Sequence, residues 1–466
     1  MALPTILINS AAGSDTAASG AGPNNALTGS AGVTSADGLT VVLDGSPDLT
    51  NVETDGSHVL FMSDTNVGSR NFGKITGKAN SGTPTAQVTV AAAFQPLNTD
   101  AWAIGGERAS IGSTTSRKLV DNNSAVGDAQ AGWTISFGSG HTETLSATLN
   151  IRVSGDTTSG LFYFVGPLAG TTPILTFSNN GDGIILRNTR EFLGRLELRN
   201  SHATKTASRG IVALTTYQTI DGVKINHSTD LFLNGIDYRS NAICVKNCDI
   251  GYCAGNGIES SAGTTFVRIR FLNNFIHNCT GIGASLRGDM VSLVFYGNIV
   301  YANGGDGAIV TNVAGDSGRH FLIAHNTFDA NTGDGLEVAN DLVTPADVLN
   351  NIFSNNGGYG LKFSSGSATA DYISGSGWIV DCNDTYNNTS GGYLPASYGT
   401  NDPGTNPTYK NASGGDFSIG TNLKAKGYPI GGSLYVGRTS ATYSYVDPGA
   451  AQRQEFSARA RSMLGF

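Results

Sequence analysis

His325-Asn326-Thr327-Phe328-Asp329-Ala330-Asn331-Thr332-Gly333-Asp334-Gly335-Leu336 is the stretch whose reading decides the fold. In it the apolar Phe328 precedes Gly335 by seven residues, and the same spacing recurs along the chain. The pairs are Ile250/Gly257, Ile276/Gly283, Val300/Gly307, Phe328/Gly335 and Phe353/Gly360, with Tyr386/Gly392 at six residues. The step from one glycine to the next varies instead: 26, 24, 28, 25 and 32 residues. A constant segment inside a variable period marks a stacked unit that takes insertions at one corner, the signature of a solenoid.

The glycine column extends upstream through Gly183, Gly210 and Gly235. Residues one and three places after each glycine are mostly apolar (Ile184 and Leu186, Ile236 and Tyr238, Leu336 and Val338). The position between them is mixed: Ile185, Val212, Asp237, Glu259, Ser285, Ile309, Glu337 and Lys362. Apolar, mixed, apolar is the period-2 alternation of a strand with one buried face. The glycine is expected to supply a positive-φ corner that starts the strand. The fold class that follows is all-β: a single-stranded parallel β-helix of roughly 26 residues per coil, with neighbouring coils about 4.8 Å apart. Three residues after each anchor stand Cys253, Cys279, Asn303, Asn331 and Asn356, which read as a structural ladder with two cysteines as packing substitutes.

Composition agrees. Glycine is 63 of 466 residues and charged residues are only 14%, which suits short strands and tight turns. Net charge is −8, with no basic stripe interleaved with aromatics, so nucleic acid is not expected as a ligand. The five cysteines, Cys244, Cys248, Cys253, Cys279 and Cys382, include no CxxC pair. They read as buried free thiols, with a Cys253–Cys279 bridge on adjacent coils as the alternative. The first twenty residues lack a charged region followed by an apolar core, so no Sec signal is expected. No stretch is long enough to insert into a membrane.

Four segments follow. Residues 1–36, rich in Ala, Gly, Ser and Thr, read as an N-terminal arm. Residues 37–112 read as a small β module, with strand signals at 39–43, 58–62, 86–90 and 101–104. Residues 113–398 read as the parallel β-helix with its N-terminal cap, the cap including a short helix over Thr114–Asn122 with Ser116 as N-cap and the coils starting at Trp133. Residues 399–466 read as a capping or docking segment that ends in a helix-compatible stretch, Ala450–Leu464.

The repeated His325-Asn326-Thr327-Phe328 and Asn350-Asn351-Ile352-Phe353 patterns, each followed by the glycine column, resemble the right-handed parallel β-helix superfamily of pectate-lyase-like proteins. Asn406-Pro407-Thr408-Tyr409 with Gly415-Asp416-Phe417-Ser418-Ile419 is similar to the closing segment of many such proteins. The front module, with Leu43-Asp44-Gly45-Ser46-Pro47-Asp48-Leu49 and Trp102-Ala103-Ile104-Gly105-Gly106, resembles structural proteins of tailed bacteriophages. That resemblance implies a virion protein of tailspike or fibre type, made in the host cytoplasm. Its implied partners are other tail or capsid proteins and a host-surface polysaccharide. A homotrimer would also hide outward apolar residues such as Ile185, Val212 and Ile309. A polysaccharide depolymerase, lyase or glycoside hydrolase, and a bacterial surface adhesin are the alternatives, because this fold hosts all of them.

Chemistry on such a fold needs charged groups on one outer sheet face. Asp237 and Glu259 share the mixed column on neighbouring coils, and four residues past the glycine come Arg239 and Arg287, from coils two apart with Ser261 between. Two carboxylates at rung spacing suit acid/base cleavage of a sugar chain, and the arginines suit a uronate carboxylate. A salt-bridge lattice on an exposed sheet explains the same residues. Lys246, Arg268 and Arg270 form a second basic group on consecutive coils that a lyase could use. Asp182, Asp306 and Asp334, each between two glycines, suit tight turns, and Asp306 with Asp334 could hold Ca²⁺. No other cofactor is expected. His277 and His325 fall in different columns and read as solvated or turn residues. The Asn-Thr-Asp, Asp-Asp and Gly-His-Gly set of polygalacturonases is absent, as is the Tyr-Pro-His-Asp motif of alginate epimerases.

Overall fold

The computed structural model describes residues 134–155, 161–260, 265–311, 320–339, 346–364, 379–394 and 402–419. Upstream it describes 5–8, 27–34, 39–46, 59–62, 72–90, 100–104, 107–108, 121–122 and 125–126, with residues 49, 111, 120 and 423. The helix expected at Ala450–Leu464 lies outside these. The chain divides into two units, one of residues 1–203 with 214–223, the other of 204–213 with 224–466.

The second unit is a parallel β-helix. A representative coil has strands Ile269–Leu272, Phe275–His277 and Ala284–Leu286, one in each of three sheets. Each strand pairs in parallel with its equivalent one coil on: Ile269 with Leu293, Ile276 with Val300, Ala284 with Ala308. The period-2 pattern decides which side chains face inward. Ile250, Ile276, Val300, Phe328 and Phe353 are in register and fully buried. The rings of Phe328 and Phe353 stack at 5.1 Å. In the last coil the residue in register with Phe353 is Thr385, not Tyr386. The seven-residue spacing to Gly392 therefore holds there too, with a polar residue in the apolar place.

The glycine column is required for a different reason from the one expected. None of Gly235, Gly257, Gly283, Gly307, Gly335 and Gly360 has positive φ. The glycines let successive coils approach closely. A Cβ at Gly283 would lie 2.5 Å from the carbonyl oxygen of Gly307, and one at Gly307 would lie 2.4 Å from that of Gly335. The left-handed corners fall instead two residues after each anchor, at Tyr252, Asn278, Ala302, Ala330, Asn355 and Asn387. A second set falls before each second-sheet strand, at Asn247, Asn273, Gly297, His325, Asn350 and Cys382. Asparagine tolerates this conformation through local hydrogen bonding, and alanine has little side chain to clash.

The ladder of Asn303, Asn331 and Asn356 is present and continues to Asn388. Each side chain donates to the next Oδ1 and to a backbone carbonyl one coil back, as Asn331 does to Val300. Cys253 and Cys279 occupy the same column as buried free thiols. A second ladder, two residues before each anchor, runs through Asn274, Asn298, Asn326, Asn351 and Asn383. All five are buried, so each satisfies backbone groups that water cannot reach.

Residues 402–419 run back along the outer face of the second sheet. Asp402 Oδ1 accepts the N–H of Asn383, and Asp384 Oδ1 accepts that of Thr405. The Tyr409 hydroxyl bonds Ser354 Oγ at 2.8 Å. Further on, Phe417 is fully buried against Phe275, Ile299, Tyr301 and Tyr409. Burial pushes the Asp384 carboxyl up to about 7 and that of Asp402 up to about 6.

The first unit has parallel coils of the same kind, such as Phe162–Val165 beside Glu191–Gly194. Residues 1–36 do not form an arm at their described stretches. Thr5–Ile8 pairs in parallel with Thr134–Phe137, and Leu27–Thr34 is a barrel strand. The barrel closes in the order Leu27–Thr34, Thr40–Leu43, Gln87–Val90, Phe72–Ala79, Val59–Met62, Asp100–Ile104 around Val41, Leu43, Leu60, Ile75 and Val88. Within the expected helix at 114–122, Asp121–Asn122 is instead a strand antiparallel to Ala125–Val126. Asp, Asn and Ser favour turns over helix interiors. Inside the coils Glu191 is buried and accepts a hydrogen bond from Gln218 Nε2 at 2.7 Å. Burial raises its carboxyl well above the ordinary range. Of the apolar residues expected to face outward, Ile185 in this unit is buried at 9% exposure and Val212 in the second at 2%, whereas Ile309 is half-buried.

Candidate functional site

Three of the four charged residues expected together on the third sheet, Asp237, Arg239 and Glu259, line one recess, with Arg209 and Asn234 as additional members. Strands Arg209–Ala213, Asn234–Tyr238 and Ile258–Ser260 run parallel. Register places Arg209 beside Asn234 and Asp237 beside Glu259. Because Ile236 and Tyr238 point into the core, Asp237 points out. Its Oδ2 accepts from Arg209 Nη1 at 2.9 Å and from Arg239 Nε and Nη2 at 2.9 and 2.7 Å. The Asn234 amide donates to the Glu259 carboxylate while its own oxygen accepts the N–H of Asn256 at 2.8 Å. These side chains, with Leu233 and Ser260, line an open recess of about 370 Å³. The Asp237 side chain is 6% exposed and that of Arg239 37%, so a buried anion holds a cation that reaches solvent.

The structure thus brings Asp237, Glu259 and Arg239 together. Arg287 stays apart: it is exposed and does not line the recess, and its backbone N–H and carbonyl bond Ser260 Oγ, both at 2.6 Å. Arg209 and Asn234 are absent from the patch expected from sequence because that patch draws only on residues after each glycine, and both stand immediately before one. Lys246 and Arg270 project from the first sheet, where Lys246 pairs with Leu272 and Arg270 with Cys244. Arg268 turns the corner before that strand with φ 62°. This group therefore belongs to a different sheet from the recess.

The column before the glycines also explains the aspartates. Asp306 Oδ1 accepts the N–H of Asp334, and Asp334 Oδ1 accepts that of Tyr359, both at 2.6 Å. Asn234 and Asn256 do the same for Asn256 and Ile282. Asp306, Asp334 and Glu337 bring carboxylate oxygens within 4.8 Å of one another, a geometry compatible with a cation. Lys362 already supplies one there, with Nζ 2.9 Å from Asp334 and 3.6 Å from Glu337. Burial raises the Asp306 carboxyl, against the pull of the Asp334 N–H. Asp182 lies in the first unit. Neither histidine is solvated: His277 and His325 are both 5% exposed. His325 does occupy a turn, at φ 57°, whereas His277 ends a second-sheet strand.

Residues 209–376 match the family model described as the right-handed β-helix region. No curated protein matches the chain. Among solved structures it is similar to pectate lyase Pel9A, at 14% identity and TM-score 0.47 over 69% of this chain and 88% of that one. It is also similar to the mannuronan C-5 epimerase AlgE4 A-module of Azotobacter vinelandii (15%, TM-score 0.35, 58% and 83%). A third is the enzymatically active domain of bacteriophage CBA120 tailspike protein 2 (10%, TM-score 0.33, 84% and 56%).

Proposed function

We propose that this protein is a glycan-holding β-helix whose third-sheet recess takes an acidic surface polysaccharide. The observation that carries the reading is the Arg209–Asp237–Arg239 clamp. Asp237 fixes two guanidinium groups in place, and Arg239 keeps part of its side chain in solvent. A planar guanidinium so fixed offers donors to a uronate carboxylate with little ordering cost. The second-row carboxylate, Glu259, accepts sugar hydroxyls beside it.

Cleavage is the second reading, favoured by the register that sets Asp237 and Glu259 on adjacent rungs. Against it, both carboxylates are engaged by protein donors, Asp237 by two arginines and Glu259 by Asn234. The finer assignment, to a spike or fibre of a tailed-phage particle that assembles as a homotrimer on tail or capsid proteins, rests on the sequence resemblance of the front module. Light scattering of the purified protein and its detection in purified particles test that part; a monomer absent from particles contradicts it.

For the glycan itself, the test is incubation with pectate, alginate and hyaluronan, followed by pull-down and by size-exclusion measurement of chain length. Retention of at least one polymer at unchanged length is the expected result. No retention refutes the reading. Shortening that Asp237→Asn or Glu259→Gln abolishes replaces it with the depolymerase.

A further inference from the structure

The outer face of the second sheet holds a group of side chains that neither the coil core nor the recess uses. Register sets Asp249 beside Phe275 and Ile299, and Gly251 beside His277 and Tyr301. A Cβ on Gly251 would lie 2.5 Å from Cε1 of His277, so the bare glycine lets the imidazole lie over that rung. The imidazole stacks on Tyr301 (5.3 Å, 20°) and meets Tyr252 edge-on (5.4 Å, 84°). Its Nε2 lies 2.9 Å from Asp249 Oδ1, and Asn226 Nδ2 donates to Oδ2 of the same carboxylate at 2.6 Å. The Asp249 side chain is nonetheless 32% exposed. Phe417, from the returning segment, borders the group at 5.0 Å from Tyr301.

Tyr252 breaks the local rule of its column. It occupies a left-handed corner (φ 55°) that the following coils fill with Asn278, Ala302, Ala330, Asn355 and Asn387. A tyrosine in this conformation is strained by its Cβ against the backbone, yet the residue is still 38% exposed. Strain at an exposed aromatic is the kind of local inconsistency that accompanies a binding role.

We infer that Tyr252, Tyr301 and Asp249 form a second carbohydrate subsite, one that takes a neutral pyranose bearing vicinal hydroxyls. The exposed face of Tyr252 matches the apolar C–H face of a sugar ring, and the phenol gives it a polar edge. The carboxylate of Asp249 accepts hydroxyl donors in charge-assisted bonds. The same carboxylate repels a uronate, since like charges set side by side are disfavoured. The subsite thus has the opposite preference to the arginine recess, and it extends the glycan-holding reading to another sheet without sharing a residue with it.

Isothermal titration of the intact protein with cellotetraose, xylotetraose, mannotetraose, maltotetraose and tetragalacturonate tests this. At least one neutral tetrasaccharide is expected to bind. Tyr252→Ala should weaken it about tenfold and Asp249→Asn several-fold, while tetragalacturonate binding stays unchanged. Tyr252→Ala is compatible with the fold because Ala302 and Ala330 occupy the same corner. Arg239→Ala should do the reverse, which separates failure of this subsite from failure of the recess. Absence of binding by every neutral sugar overturns the inference, as does a neutral sugar that Tyr252→Ala binds as well as the parent.

Discussion

Two kinds of polar column climb the second unit, and they differ in where their hydrogen bonds end. In the asparagine ladders the side chains are buried, apart from the half-buried Asn388 at one end, and bond the next coil's side chain and backbone. In the recess the polar column starts from a buried carboxylate but ends in solvent, at Arg239 and Glu259. The ladders fix the spacing of the coils; the recess uses that spacing to display charge. The same repeat therefore holds core-facing and solvent-facing polar groups side by side, and the direction each side chain faces separates them.

The largest effect should come from breaking the close approach that the ladders depend on. Gly283→Ala puts a methyl 2.5 Å from the Gly307 carbonyl, with Val300 and Asn303 at 2.6 and 2.8 Å. Backbone must shift, and a loss of about 3 kcal/mol or more is expected in urea unfolding. A loss under about 1 kcal/mol would show that the coils are looser than the spacing implies. Next, Asn326→Ala strands the Phe295 carbonyl and the Asn298 amide groups that it satisfies. Roughly 2–4 kcal/mol is expected from groups left buried without partners, measured in the same way.

The returning segment sharpens the comparison because its polar contacts titrate. Asp384 and Asp402 have folded values of about 7 and 6, above the ordinary 3.8 because they are buried. A raised carboxyl favours the folded state while neutral. Its contribution is complete below about pH 4 and is lost as pH rises through 6 to 7. The thermal midpoint should therefore fall by several degrees across that window, and Asp384→Asn with Asp402→Asn should flatten the fall. A midpoint in the double variant that tracks the parent at every pH would contradict this.

Much of this was legible in the sequence. The seven-residue spacing located the anchors, the third-sheet strands and the first asparagine ladder. It misplaced the left-handed corners because glycine signals either positive φ or close approach, and spacing does not tell them apart. Asn355 and Asn387, which do adopt positive φ, look in sequence like any other turn asparagine. The second ladder was available two residues before each anchor, and Arg209 and Asn234 one residue before a glycine. What no column reveals is the Asp249–His277–Tyr252 group, because it depends on a side chain filling the space above Gly251. The path of residues 402–419 is also a tertiary outcome, fixed by apolar contacts between residues far apart in the chain.

The smallest effect on stability should accompany the largest on binding, and that pairing is the most direct test. Arg239→Ala leaves the buried Asp237 carboxylate its bond to Arg209, so unfolding should change by only about 1–2 kcal/mol. Affinity for an acidic oligosaccharide should fall about tenfold or more. Calorimetry on one sample gives both numbers. A stable protein with weakened binding is the predicted result; a destabilised protein that binds as before would mean the recess is one more structural column.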